Sequence, residues 1–454
     1  MKFFNDKKLF WLLWFLFGAV FIILNFKHPL NSDEGVILGG AWRLWNGEDL
    51  YLDFFEYIPP GSFYYIWGAW KIFGPFYWVA RLASMVLVFL GGIGLYKICS
   101  RPLKIKENLW CFLPVFLFLI SVSFHPLVNH NTLSLVFVIW GIYFFLQGLE
   151  NHRKVFFASS GLFTGVSLLF LQHRGGALVV AGMSFLLWWI IKKQNRNFVY
   201  LGYYAGFFLL PLVFLLKWPL QLIFDNLIIF PLSNYHDVNQ ISLFYFLIFL
   251  FLFLLLVWSG RKKMSVTQKF LAWSYFLLLL SLLSRPDFGH LSLVFPIFGV
   301  LVVSFLDQID SYNGVTRTVI KGEFCFLLLM LASFCLVMFS IGYSSRDKEV
   351  FSFVENNCKK EHIYAGPFLP GFYFEVKKFN PGFYPSLLIL NKQPKKLEQV
   401  KKTLESYRPD CAILNYDMVK KFQYDRDNPV DNWLKKEYKK VFQDEGIMVF
   451  KIKE

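Results

Sequence analysis

Charge is what this sequence has least of. Only 17% of its 454 residues are Asp, Glu, Lys or Arg, while 56% are hydrophobic. An ordinary soluble domain carries about a quarter charged residues, so that class is excluded. The sequence also lacks an internal repeat, and its His residues show no HxxxH-type spacing for a metal. Six cysteines make no ligand pattern. Cys99, Cys111, Cys325 and Cys335 lie in or beside apolar runs, as packing residues do. Cys358 and Cys411 fall in a polar tail and can pair if that tail is outside the cytoplasm. No small-residue cleavage site follows the basic start and its apolar run FWLLWFLFGAVFIIL, which therefore reads as a retained first span.

What is present is a succession of apolar runs, each near the roughly 20 residues needed to cross about 30 Å of hydrocarbon. About eleven spans result, near 9–26, 76–97, 109–124, 132–149, 155–171, 176–191, 198–216, 241–259, 270–284, 291–306 and 324–343. The net charge of +15 is not a nucleic-acid footprint, because the basic residues stand in short clusters between these runs. SRPLKIKEN, ENHRK, KKQNRN and GRKKMSVTQK mark one side as cytoplasmic by the excess of Lys and Arg. The other side holds the long first loop, 27–75, then FHPLVNHN, LQHRGG, KWPLQLIFDNLIIFPLSNYHDVNQ and SRPDFGH. An odd number of spans puts the tail on that outer face too. The expectation is a polytopic α-helical protein of the plasma (inner) membrane, with residues 1–343 in the membrane portion. Residues 344–454 form a small extracytoplasmic α/β domain.

Within the tail, LEQVKKTLESYR sets Leu397, Val400, Leu404 and Tyr407 on one helical face. PDCAILNY reads as a buried strand, and VFQDEGIMVFKI as a hairpin turning at Asp444 to Gly446. No catalytic motif is present there.

Directly after the first span comes NSDEGVILGGAWRLWNGEDLY. Two readings of its acids, Asp33 and Glu34, stay open on the residues alone. Asn31 can cap a helix whose third position is Glu34, and acids in a first turn offset the helix dipole. Alternatively, the pair does chemistry at the membrane surface. The loop continues as GEDLYLDFFEYIPPGSFYYIWGAWKIFG, longer and more aromatic than a connector between two spans requires.

These residues resemble the C-type membrane glycosyltransferases. The features are a first span, an acidic dipeptide, an amphipathic segment, then Gly-Glu-Asp-Leu-Tyr-x-Asp-Phe and Tyr-Ile-Pro-Pro-Gly. The nearest groups are the protein O-mannosyltransferases, the lipid A aminoarabinose transferases and the rhizobial lipopolysaccharide glycosyltransferases. The likeness covers 1–340 by layout and 31–75 by motif. It implies transfer of a sugar from a polyprenyl-phosphate donor, held with membrane lipid, to an extracytoplasmic acceptor. It also implies that Asp33 is the general base, with Glu34 beside it. Glu56 and Tyr57 in the aromatic stretch become candidate substrate contacts. Some relatives use a divalent ion, so one stays possible here, and no ligand set is assigned.

Displacing phosphate from an anomeric carbon passes through an oxocarbenium-like state. It needs one carboxylate for the acceptor proton and cations for the charge growing on phosphate. On the outer face, His173 and Arg174 precede Gly175-Gly176, read as a turn open to phosphate. Arg285 and His290 stand in SRPDFGH. These four are the candidate phosphate ligands. Asp287, His125, Asn129 and His130 are candidate acceptor contacts, with helix capping as the alternative for the FHPLVNHN residues. Two other readings remain. A transporter is disfavoured by uninterrupted runs such as FLIFLFLFLLLV, because transport sites sit near the midplane in broken helices. A polymerase or ligase of lipid-linked polysaccharide would act on a diphosphate-linked glycan instead.

Overall fold

The computed structural model describes residues 6–27, 32–106, 108–124, 127–192, 198–234, 243–340, 348–391, 393–444 and 446–453. The chain is a polytopic helical membrane protein with a small C-terminal sheet. It divides into two compact units. One comprises 1–27, 81–217 and 241–342; the other comprises 28–80, 218–240 and 343–454. Where the sequence reading cuts the chain once, at 343/344, packing groups residues 28–80 and 218–240 with the tail.

The first unit is built from α1 (Asp6–Lys27), most of α4 (Tyr77–Ser100), α5 (Phe112–Phe124), α6 (His130–Asn151), α7 (Lys154–Phe170), α8 (Gln172–Lys192), α9 (Val199–Leu209), α12 (Phe244–Gly260), α13 (Val266–Leu280), α14 (Phe288–Ser292), α15 (Phe295–Leu306) and α16 (Gly314–Ser340). Each of the eleven apolar runs coincides with a helix. Among the described residues five stretches are long and apolar enough to cross a membrane by themselves: 77–100, 130–151, 172–192, 199–217 and 314–336. Helices α5 and α15 have 13 and 12 residues, about 20 and 18 Å at 1.5 Å per residue. The short helical segments Asn108–Cys111 and α14 precede them.

Helix α6 is apolar all round and buried along most of its length, so it is the central element of this unit. Asn129 caps it, its side chain accepting from the Asn131 N–H at 2.7 Å. Helix α7 lies against α9 backbone to backbone. A Cβ on Gly161 would stand 2.3 Å from the Tyr204 carbonyl oxygen, and one on Gly165 would stand 2.2 Å from that of Phe208. Only glycine permits this approach, as small residues do between membrane helices. Of the four free cysteines, Cys99 and Cys111 are buried, whereas Cys325 is exposed and so is not the packing residue expected.

The second unit holds α2 (Ser32–Trp45) and α3 (Gly61–Phe73) from the first loop. It also holds α10 (Leu220–Phe224) and α11 (Phe230–Asn234), joined by the π-helical turn Asp225–Ile229. The tail adds α17 (Lys348–Asn357), α18 (Phe372–Glu375), α19 (Pro394–Tyr407) and α20 (Pro429–Glu437). Its four-stranded sheet comprises β1 (Tyr364–Gly366), β2 (Cys411–Leu414), β3 (Tyr438–Asp444) and β4 (Ile447–Ile452), in the order β1-β2-β4-β3. β1 pairs parallel with β2, and β4 runs antiparallel to both β2 and β3. The expected strand and hairpin are therefore present. Leu397, Val400 and Leu404 of α19 are buried against the sheet core, but Tyr407 is exposed and rests on the His362 ring instead. The π turn interrupts a helical run at 220–234 that the sequence reading took for a loop.

Cys358, just after α17, is disulfide-bonded to Cys411 of β2 across 53 residues of sequence. Closing a loop of that size restricts the unfolded chain by about 4 kcal/mol on the chain-entropy account. The double substitution Cys358→Ser/Cys411→Ser should therefore lower the unfolding midpoint of the tail and open it to protease; an unchanged digestion pattern counts against this role.

Candidate functional site

The second unit carries the acidic pair in the first turn of α2. Asn31, the expected cap, lies outside the described residues. The two carboxylates differ in setting. Glu34 is 1% exposed, and the Tyr77 hydroxyl donates to its Oε2 at 2.5 Å. Asp33 is half-buried. The pair is thus split into one acid fixed in the interior and one nearer the surface.

The tail fixes the direction of α2. A Cβ on Gly35 would meet the Gly371 nitrogen at 2.6 Å, and one on Gly39 the Pro370 carbonyl oxygen at 2.7 Å. One turn on, the Trp42 indole donates to the Lys378 carbonyl at 3.0 Å and stacks on Phe379. Arg43 completes the attachment. Its Nε donates to Glu48 at 2.7 Å, Nη1 to the Gly382 carbonyl at 2.9 Å and Nη2 to the Asp53 carbonyl at 3.3 Å. Sequence reasoning passed over Arg43 because it sits inside an amphipathic repeat and its partner Gly382 is hundreds of positions away.

Of the candidate substrate contacts in the first loop, Tyr57 is half-buried and packs its ring on Phe230. Glu56 is 2% exposed and lines a small cavity with Arg43, Phe54, Tyr373 and Asn380. Burial pushes its carboxyl up to about 8, against the opposing charge of Arg43 and the hydrogen bond from the Tyr57 N–H.

The first unit carries the cations. Arg174 is in the first turn of α8 and fully buried. Its Nη1 donates to the Asn131 carbonyl and, at 3.2 Å, to the Ser134 hydroxyl, both on α6. Its Nε and Nη2 are buried and have no hydrogen-bond partner among the described residues. Those two N–H groups form the side of a guanidinium that grips a phosphate or carboxylate with parallel hydrogen bonds. Gly175 and Gly176 are within the helix, not in a turn. Gly175 is there for packing, since a Cβ would stand 2.4 Å from the Leu168 nitrogen.

Around Arg174 the structure gathers most of the remaining predicted residues. His130 opens α6, its Nε2 at 3.0 Å from the Asn131 side-chain nitrogen, and its Nδ1 is buried without a partner among the described residues. His173, Arg174, Arg285 and His290 all lie within electrostatic reach of His130. Asp287 caps α14, accepting the His290 N–H at 3.0 Å on Oδ1. Its Oδ2 is 2.8 Å from His290 Nδ1 and accepts the Arg285 Nε at 3.2 Å. Asp287 is therefore engaged with its own neighbours, and Asn129 is a cap, the alternative kept open for it. His125 lies outside the described residues.

Burial by itself raises the Asp287 carboxyl, but the hydrogen bond and charge of His290 and the charge of Arg285 outweigh it and hold the group well below the usual carboxylate range. A further buried guanidinium of this unit, Arg81 near the N-terminal end of α4, donates to the Asn25 carbonyl. It was hidden in a stretch read only as a span. Among the described residues no group of three His, Cys, Asp or Glu side chains could hold a metal ion.

Comparison with known proteins fits this layout. The family described as dolichyl-phosphate-mannose-protein mannosyltransferase matches residues 58–218. Two crystal structures of ArnT from Cupriavidus metallidurans share the fold over nearly the whole of both chains. The one bound to undecaprenyl phosphate is 15% identical with a TM-score of 0.60, covering 97% of each chain. The apo form is 14% identical with a TM-score of 0.61, covering 98% of each. The resemblance to C-type glycosyltransferases thus holds at the level of fold and of this matched segment. No curated protein sequence matches the chain.

Glu56 gives a pH test of the second unit. Its folded pKa lies above the ordinary carboxylate value of about 4.3, so the folded state holds the extra proton between those limits. Stability from this group is complete below about 4.3 and falls by about 1.4 kcal/mol per pH unit as pH rises toward about 8. Glu56→Gln should remove that decline, so its unfolding midpoint should overtake the parent's progressively above pH 5; parallel curves would show Glu56 to be ionised when folded.

Proposed function

We propose that this protein is a membrane glycosyltransferase that moves a sugar from a polyprenyl-phosphate donor to an acceptor outside the cytoplasm. The observation that carries the reading is Arg174. A fully buried guanidinium with its Nε and Nη2 donors unmatched is costly by several kcal/mol, because the group cannot shed its charge. A phosphate oxygen pair on those donors offsets that cost. Arg285 adds positive charge to the same region, and the imidazoles of His173 and His290 lie beside it. The fold supports the reading, since the similar ArnT structure has undecaprenyl phosphate bound. The matched family is named for transfer from a dolichyl-phosphate sugar.

In this mechanism Arg174 holds the donor phosphate side-on, and Arg285 adds charge from the exposed edge. The sugar–oxygen bond breaks with its electrons remaining on the phosphate. Asp33 takes the proton from the acceptor hydroxyl as that oxygen closes on the anomeric carbon. Glu34, fixed by Tyr77, holds the first turn of α2 in place. The Cys358–Cys411 disulfide supports an oxidising, extracytoplasmic setting for the tail from 344 onward.

Two measurements on the detergent-solubilised protein test the assignment. Asp33→Asn should abolish transfer while donor binding persists, and full turnover in that variant rejects it as the base. Arg174→Lys keeps the charge but loses the paired donors. Loss of one charge-assisted hydrogen bond is worth about 1.5–3 kcal/mol, or roughly 10- to 100-fold in donor affinity. Arg285→Ala should cost less, its side chain being 36% exposed. Unchanged affinity in Arg174→Ala removes the phosphate clamp.

A further inference from the structure

We propose that His130 is a third ligand of the donor phosphate, giving an Nδ1–H beside the Nε and Nη2 donors of Arg174. Asn131 positions both residues. The inference rests on the donor reading above and moves His130 from the acceptor contacts, where the sequence put it, to the phosphate.

One hydrogen bond settles the tautomer. The Asn131 side chain turns its amide nitrogen to the His130 ring, with Nδ2 3.0 Å from Nε2. An amide nitrogen only donates, so Nε2 supplies the lone pair. A ring that accepts at Nε2 carries its single proton on Nδ1 and is uncharged. That Nδ1–H is buried and meets no acceptor among the described residues.

Asn131 also holds the guanidinium. Its backbone carbonyl accepts from Arg174 Nη1, and the Ser134 hydroxyl accepts from the same nitrogen at 3.2 Å. With Nη1 occupied, the other edge of the guanidinium presents Nε and Nη2, both buried and unmatched among the described residues. One residue in the first turn of α6 thus grips the imidazole through its side chain and the guanidinium through its main chain. Asn129 caps the same turn, accepting the Asn131 N–H at 2.7 Å.

Three unmatched donors with one positive charge select their ligand. They fit an anion that offers several acceptor oxygens and brings no proton of its own. A sugar hydroxyl would bring a donor and leave the guanidinium charge uncompensated. A phosphate diester supplies two unesterified oxygens, whose lone pairs suffice for three N–H groups, and one negative charge to match Arg174. The neutral ring adds a hydrogen bond without adding a second charge to be desolvated. His130 as a whole is only part-buried, so its ring edge is where an incoming phosphate meets the turn.

Binding of undecaprenyl phosphate to the full-length protein in detergent tests the assignment. An Asn amide lies at the position of the imidazole Nδ1, and the longer Gln amide at that of Nε2. His130→Phe should lose about tenfold or more in affinity, the worth of one hydrogen bond to a charged group. His130→Asn should recover most of that loss and His130→Gln should not. A Phe variant that binds like the parent, or a Gln variant that outperforms Asn, overturns the third ligand.

Asn131 acts through its neighbours, so its readout is the tautomer. In protein labelled with 15N-histidine, the His130 signals, identified by their absence from His130→Asn, should show a protonated Nδ1 and a bare Nε2. Asn131→Asp presents a carboxylate that accepts instead of donating, so the proton should move to Nε2 and affinity should fall with it. A proton on Nε2 in the parent overturns the assignment, and this spectrum decides where the Phe and Gln variants do not fold. Arg174→Ala separates the two readings. If it binds undecaprenyl phosphate as the parent does, the donor reading fails; if it binds weakly while His130→Phe binds normally, the third ligand alone fails. Inorganic phosphate at equal concentration should not displace the lipid; displacement that depends on His130 makes this a site for free phosphate and overturns the donor reading.

Discussion

Hydrocarbon cannot hydrogen-bond, and the membrane unit is organised by that constraint. Its polar side chains turn back on the chain's own carbonyls. The Ser123 hydroxyl donates to the Leu119 carbonyl at 2.9 Å, Ser160 to Gly141 at 2.8 Å, Thr164 to Ser160 at 2.8 Å and the Trp140 indole to Leu90 at 3.1 Å. Against that pattern an unmatched buried donor carries information, but only if the group cannot become neutral. Glu323 of α16 has a buried carboxyl oxygen without a partner among the described residues. A carboxyl in that position can keep its proton and cease to be an ion. A guanidinium cannot. The same formal defect is therefore tolerable at Glu323 and costly at Arg174, which is why the proposed donor site is built on the guanidinium.

In the second unit the comparable constraint is steric. Helix α2 carries the acids, but it does not direct itself. Gly35 and Gly39 let the Pro370–Gly371 backbone come within reach of the helix, and Trp42 and Arg43 tie the last turn to residues 378 and 382. The tail, which has no catalytic motif of its own, thereby becomes part of what sets the acid's direction. Widening either glycine would push the helix off this support, although neither position bears on chemistry.

How much of this was legible follows from the range of each signal. The apolar helices were readable because lipid imposes long uninterrupted apolar runs, though only five among the described residues are long enough to cross a membrane unaided; α19, β2 and the β3–β4 hairpin were readable because their periodicity is local. The helical run at 220–234 was missed, since Asp225, Asn226, Pro231 and Ser233 punctuate it as they would a loop. Gly175 and Gly176 were misread because a glycine pair marks close packing as readily as a turn. His290 and Asp287 were noticed together in SRPDFGH but given separate roles; their three-residue spacing was the signal that they address each other. The holding of Arg174 by Asn131 and Ser134 left no trace in the sequence, for it depends on how α6 meets α8. Tyr77 and Arg81 were concealed by treating a span as a uniform cylinder.

Low identity with a retained fold has a similar physical origin. A membrane fold can keep its helix layout at 15% identity over 97% of the chain, because nearly any apolar residue suits a lipid-facing position. Layout therefore persists after the particular residues have changed, and it transmits little about which side chains react. The matched family segment begins at residue 58 and ends at 218. It contains Arg174 but neither Asp33 nor the Arg285–His290 group. The roles proposed for those residues stand on their own chemistry: a half-buried carboxylate beside one that Tyr77 holds inside, and an imidazole with an acid on one nitrogen and Arg285 on the same carboxylate.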